Sequence, residues 1–151
     1  MVRKLSDIIK QILNGEGVNA DLHGVDLRDA YLRDADLHGA NLREANLRVA
    51  NFVKANLSDT ILIGADLRGT NLYQANLSGA NLTDAQLWNA DLRHADLSYA
   101  KFVNANMTGA DLSGANLQHA DLTGADLSKG TLGYTDLAHT IHDETTIWPK
   151  D

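Results

Sequence analysis

From residue 20 onward, apolar residues recur at the first and third of every five positions, with polar residues between them. Ala20-Asp21-Leu22-His23-Gly24 forms one row, followed by Val25-Asp26-Leu27-Arg28-Asp29 and Ala30-Tyr31-Leu32-Arg33-Asp34. The register holds through Thr135-Asp136-Leu137-Ala138-His139, so residues 20–139 make 24 rows without an insertion. The third position is Leu in 21 rows, Phe in two (Phe52, Phe102) and Met in one (Met107). The first is Ala except at Val25, Thr60, Thr70, Gly130 and Thr135. A period of five suits no regular element. On an α-helix the Leu stripe would drift by about 140° per row. On a continuous strand successive Leu residues would alternate faces. The pattern is coherent only if the chain bends once per row. Within a row the first and third residues then point inward together, because they are two apart on an extended segment. The second, fourth and fifth point out. The fifth is Gly in 8 of the 24 rows and often Asp, Asn or Lys elsewhere, which is turn chemistry.

The flanks read differently. Leu5, Ile8, Ile9, Ile12 and Leu13 share one face of a helix, Ser6 is placed to cap its start, and Gly15 supplies a stop. The spacing predicts a helix over residues 5–14 lying across the first rows. At the other end the motif decays at Ile141-His142. Ile147 and Trp148 are expected to close the core within residues 140–151. The whole, 1–151, reads as one domain.

These rows resemble the pentapeptide-repeat family, whose motif is A(D/N)LXX, over about four-fifths of the chain. The resemblance implies an all-β fold: a right-handed quadrilateral β-helix with four rows per coil. Twenty-four rows then make about six coils, a shaft roughly 29 Å long at the spacing of paired strands. Stability would be a sum of contacts between neighbouring coils, with the short N-terminal α-helix as a cap. It also implies that residues 20 apart stack in columns.

Composition narrows the compartment and the chemistry. Cysteine is absent, which excludes disulfides and thiolate metal sites. The start Met1-Val2-Arg3-Lys4 is basic, but Asp7 and Lys10 interrupt the apolar run after it, so no signal peptide is expected. No stretch approaches the length of a membrane span, and the cytoplasm is the expected location. The net charge is −7. Residues 1–75 hold 9 Lys/Arg and 10 Asp/Glu, the remainder 4 and 10. Such a chain has no general attraction for nucleic acid.

With columns in hand, clusters can be tested. Among second-position aspartates only Asp91 and Asp111 are adjacent in a column. Elsewhere Asn intervenes, as in Asp36, Asn56, Asn76 and Asp96, which dilutes like charge. A regular solenoid is convex, so no cleft is expected to desolvate a carboxylate. His119 and His139 stack below Tyr99 without a third ligand, so no metal site is expected. No catalytic residue, cofactor or nucleotide-binding glycine loop is read from the sequence.

The fourth positions stand out. Arg28, Arg48, Arg68 and Trp88 form one column, and Arg33, Val53, Tyr73 and Arg93 the next. Asp26, Asp29 and Asp66 lie close enough to neutralise the arginines. Stacking of Arg68 on Trp88 and of Tyr73 with Arg93 is expected. Arg28, Arg48, Arg68, Trp88, Tyr73 and Arg93 are therefore the candidate partner-binding residues, since Arg, Trp and Tyr dominate protein contacts. Ile61 and Ile63, outward in mid-shaft, are a lesser irregularity. The expected role is that of a non-enzymatic structural or protein-interaction module, monomeric, with a protein partner. The alternative implied by the family is a DNA mimic that binds a type II topoisomerase (gyrase). Residues 140–151 are too short and polar for the dimerising segment that this branch carries.

Overall fold

The computed structural model describes residues 4–150; Met1, Val2 and Arg3 of the basic start, and Asp151, lie outside the described residues. Across the rows the chain winds in parallel. Asp21 bridges to Asn41, Asn41 to Ile61 and Ile61 to Asn81, and the same 20-residue step repeats in the other columns. Each row bonds to both neighbouring coils through its backbone. In the row starting at Ala45, Asn46 donates to the Val25 carbonyl (2.9 Å), Leu47 to Asp66 (2.8 Å) and Val49 to Arg68 (3.1 Å).

The bend between rows is a tight turn. The first amide of each row donates back to the third carbonyl of the row before, as Ala30 does to Leu27 at 3.1 Å. Between them the fifth residue has φ of 54–70° in all 24 rows, and 16 of these residues are not glycine. A positive φ at the third of four turn residues is the mark of a type II turn. The first and third side chains consequently face inward, and every third-position residue from Leu27 to Leu127 is fully buried.

Second-position aspartate and asparagine have a structural task that charge dilution did not anticipate. They occupy 19 of the 24 rows. In each of the 19, Oδ1 accepts the backbone N–H of the fourth residue at 2.9–3.4 Å. The side chain thus supplies an acceptor that the extended backbone lacks at the bend. At three of the four places where Asn follows Asp in a column it also donates along it, as Asn56 Nδ2 does to Asp36 Oδ1 at 3.0 Å; the exception is Asn46, above the Asp26 that Arg28 holds. First-position threonines are satisfied too: Thr60 Oγ1 donates to Leu57 O at 2.7 Å and Thr70 Oγ1 to Leu47 O at 2.8 Å. Among the described residues no buried side-chain polar atom lacks a partner.

This bonding makes the fold acid-sensitive. The Arg28, Arg68 and Arg93 side chains hold Asp26, Asp66 and Asp91 below the usual carboxylate range, and the Ser128 hydroxyl does so for Asp126. The unfolded chain binds these protons more readily, so stability rises with pH through the transition. It is complete above the unfolded value near 4 and is lost as pH falls through the lower folded values. Melting followed by circular dichroism should show a falling midpoint only below about pH 4. A midpoint unchanged down to pH 2 would contradict the role given to these carboxylates.

At the N-terminal end α1 spans Leu5–Gln11. Its N-cap is Lys4, not Ser6, and no side chain caps it. Asp7 and Ile8 N–H both donate to the Lys4 carbonyl, which places Ser6 inside the first turn. A wider helical turn follows over Ile12–Glu16, where Gly15 takes φ 88°. Ile12 is buried in the core and Ile8 and Ile9 pack against it. Leu5 and Leu13, expected on the same face, are exposed. Widening from Ile12 onward turns Leu13 off that face. Gly17 then crosses the backbone of the next coil, where any Cβ would strike the Asp36 carbonyl oxygen.

At the other end the parallel ladder runs past the last row. Ile141 bridges to Asp121 and Ile147 to Asp126, the latter with one extra residue in the step. Thr146 occupies a first position, buried, and its hydroxyl donates to Leu122 O at 2.9 Å. Trp148 then falls at the third position and packs against the core, while Ile147 faces out, 48% exposed.

Candidate functional site

The winding brings the two arginine-bearing columns onto adjacent faces. On the first, the second positions run Asp26, Asn46, Asp66, Gln86, each bridged to the next. That column decides the state of each arginine beside it. Arg28 grips Asp26 through Nε (2.9 Å) and Nη2 (2.7 Å), and Arg68 grips Asp66 through Nε (2.8 Å) and Nη2 (2.5 Å). The pairing raises both arginine pKa values. These pairs are largely exposed, so they order the side chains more than they stabilise the fold. The Arg48 row carries Asn46 instead. Among the described residues no carboxylate lies within 4.0 Å of the Arg48 guanidinium. Asp29, expected to neutralise this column, forms no ion pair with it.

Trp88 ends the column, half exposed at 50%, and Val49 beside Arg48 is 60% exposed. Arg68 does not stack on Trp88 as the sequence suggested. Its own row's carboxylate draws the guanidinium sideways, away from the next coil. Among the described residues the one cation-over-ring contact is Arg93 on Tyr73, 5.6 Å from the ring centroid.

On the second face Arg93 pairs with Asp91 through Nε (2.8 Å) and Nη2 (2.7 Å), and its Nε lies 3.9 Å from Asp111. The adjacent carboxylates Asp91 and Asp111 are thus bridged by one guanidinium, whose pKa they raise. Tyr73 also meets the edge of His94, with centroids 5.7 Å apart. The convex surface has one shallow, open interruption on this face. A shallow depression of about 500 Å³ lies between Arg33 and Tyr73, floored by Val53 and bordered by Lys54, Gln74 and Arg93. Its cause is the short Val53, set in a column between two long side chains. The 20-residue register already aligns Arg33, Val53 and Tyr73. Lys54, a fifth-position corner residue, had no comparable signal.

The remaining residues singled out from the sequence are placed as follows. Tyr99, His119 and His139 stack in a ladder with centroids 4.8 and 5.0 Å apart, nearly parallel. Among the described residues no three His, Cys, Asp or Glu converge as metal ligands. Ile61 is 36% exposed, at the margin, and Ile63 is half-buried. Charge divides by face as well as by half. The face carrying Asp36, Asp59, Asp96 and Asp136 has no Lys or Arg, a segregation the two-halves count could not reveal. No helix among the described residues is long and apolar enough to cross a membrane.

Comparison with known proteins agrees with the repeat. The family model for pentapeptide repeats matches in 8 copies over residues 18–48, 50–89 and 90–128. Among curated proteins none matches. Similar solved structures include HetL, a pentapeptide repeat protein involved in heterocyst differentiation regulation in Nostoc sp. strain PCC 7120. It is 34% identical over 82% of this chain, with a TM-score of 0.40. The chain spans 66% of HetL, just under two thirds of its length. Rfr23 from the cyanobacterium Cyanothece 51142 is 28% identical, covering 96% of this chain and 99% of its own, with a TM-score of 0.39. QnrB1, a plasmid-mediated fluoroquinolone resistance protein, is 21% identical over 83% of this chain and 79% of its own, with a TM-score of 0.34. With family matches along most of its length, an unbroken five-residue register and a parallel ladder stepping by twenty residues, this chain belongs to the pentapeptide-repeat family.

Proposed function

We propose that the protein is a non-enzymatic interaction module whose contact surface is the arginine and aromatic region of two adjacent faces. In this reading residues 20–139 form a right-handed shaft of about six coils. Residues 5–14 cover one end and residues 140–151 the other, and the unit works as a cytoplasmic monomer. One observation carries the assignment of the surface. The fold itself accounts for Arg28, Arg68 and Arg93, each held by its own row's aspartate; among the described residues Arg48 and Arg43, whose rows carry Asn, have no carboxylate within 4.0 Å, and of the two Arg48 lies in the column with Trp88. An unpaired guanidinium between exposed Val49 and a coil bearing half-exposed Trp88 has the composition of a protein-contact hot spot. The paired arginines beside it are already ordered, which lowers the entropic cost of docking.

Affinity capture from the native host with wild type and with Arg48→Glu/Arg68→Glu tests this. At least one partner should disappear from the variant's list while circular dichroism stays unchanged. Identical lists would remove the arginine column as the contact surface.

A second reading, a DNA mimic acting on a type II topoisomerase, has one observation in its favour. The face with Asp36, Asp59, Asp96 and Asp136 presents spaced carboxylates with no cation among them. Gyrase supercoiling with added protein decides it: inhibition or protection at micromolar concentration supports mimicry, and no effect eliminates it.

A further inference from the structure

We infer that the depression over Val53 takes the carboxylates of an acidic peptide segment on the protein partner; this deepens, and rests on, the interaction reading above. Three features of the depression point the same way. The first is shape. Its volume of about 500 Å³ lies within the range of small-ligand sites, although it is shallow. Val53 is only 8% exposed because Arg33 and Tyr73 rise on either side of it, so a short side chain could seat between them.

The second is charge. The lining holds Arg33, Lys54 and Arg93 against the carboxylate Asp91, with Asp34 beside Arg33 and Asp111, 3.9 Å from Arg93, just outside it. Asp91 is already engaged by Arg93. Lys54 has no carboxylate within 4.0 Å among the described residues. Arg33 touches only its neighbour Asp34, through Nε at 3.3 Å, which leaves its terminal nitrogens as donors. A guanidinium with free terminal nitrogens fits a carboxylate in two-point geometry, and an ammonium beside it takes a second anion as a point charge.

The third is order. Arg93 is fixed by Asp91 and lies over Tyr73, so this wall is set before any ligand arrives. Gln74 adds a neutral donor at the rim. The donors therefore stand around a nearly covered Val53, in a mostly polar lining that also includes Asn71 and Asp91. Donors spread over Arg33, Lys54, Gln74 and Arg93 suit a peptide, which brings several carboxylates along one backbone, better than a single bare anion.

The test is a fluorescence anisotropy titration of the whole protein at about 50 mM salt, where exposed charges are weakly screened. The probes are a labelled hexaglutamate peptide and a hexaglutamine control, with inorganic phosphate as competitor. The acidic peptide should bind at least tenfold tighter than the neutral one. Arg33→Glu/Lys54→Glu should lower that binding by at least tenfold, and Val53→Phe, which fills the floor and keeps every charge, should also weaken it. Phosphate should compete no better than chloride at equal ionic strength. Equal binding of the two peptides, or unchanged binding in Arg33→Glu/Lys54→Glu, overturns the inference. Stoichiometric displacement by phosphate overturns it as well, because the site would then serve a free anion. If Arg48→Glu/Arg68→Glu alone abolishes peptide binding, the arginine column stands and the depression fails. If the capture lists are identical but peptide binding depends on Lys54, the column fails and the depression stands.

Discussion

Replacing Leu82 by alanine is expected to cost about 2–5 kcal/mol, and Leu22→Ala well under half of that. Leu82 is fully buried, with a coil on either side of it, while Leu22 is only partly buried near the end of the winding. The truncation at Leu82 leaves a void bounded above and below by rigid, hydrogen-bonded coils that cannot collapse into it. Its amide donates to Lys101 O at 2.7 Å, and the neighbouring Asn81 amide donates to Thr60 O at 2.9 Å, so the backbone around the void is pinned on both sides. Leu22, at the end next to the helix, is already partly open to solvent, so its truncation leaves less of a closed void. Since contacts join only adjacent coils, the Leu82 change should also weaken coupling between the two parts of the shaft. Denaturant unfolding followed by circular dichroism reads both effects. Equal losses at the two positions would mean that the shaft is not a stack of local interfaces.

Val49→Asn is expected to stabilise the protein by about 1 kcal/mol, a rise of roughly 2–4 °C in melting temperature for a chain of this size. Val49 is held at φ 57°, where a β-branched side chain is a conformational outlier. It is 60% exposed, so little packing is lost on exchange. Asparagine tolerates this region far better than valine. Val49→Gly should gain less, because glycine also loosens the unfolded chain. A fall in melting temperature for Val49→Asn would show that Val49 contributes packing its exposure does not reveal. The same variant tests the proposed surface from the other side. If Val49 touches the partner, the more stable protein should bind less well.

Several details of the candidate site were legible only in part. The arginine columns follow directly from the period, and so does the stacking of His119 on His139. Arg33 meets its neighbour Asp34, and whether the other arginines are paired depends on whether the second residue of the row is Asp or Asn, as at Asp66 against Asn46. That rule becomes visible only when the second and fourth side chains are seen on the same side of the bend. The Arg68 and Trp88 contact failed for the same reason: a carboxylate two residues away outcompetes a ring one coil away. The N-cap was misassigned because Ser6 is chemically suited to it, yet the extended conformation of Lys4 sets where the helix starts.

The repeat, the inward Leu and Ala positions, the turn once per row and the family can all be read along the chain, because a strict period of five leaves no regular element as an alternative. What the outward residues do depends on how the coils stack. Winding places every fifth residue at positive φ whatever its identity. It sets the second-position Asp and Asn against the backbone amide two residues on, and it opens a depression where Val53 sits between longer neighbours. The physical reason is that the inward pattern is a one-dimensional signal written in every row. The surface, in contrast, is assembled from residues twenty apart, and their side chains choose among partners only once the coils are stacked.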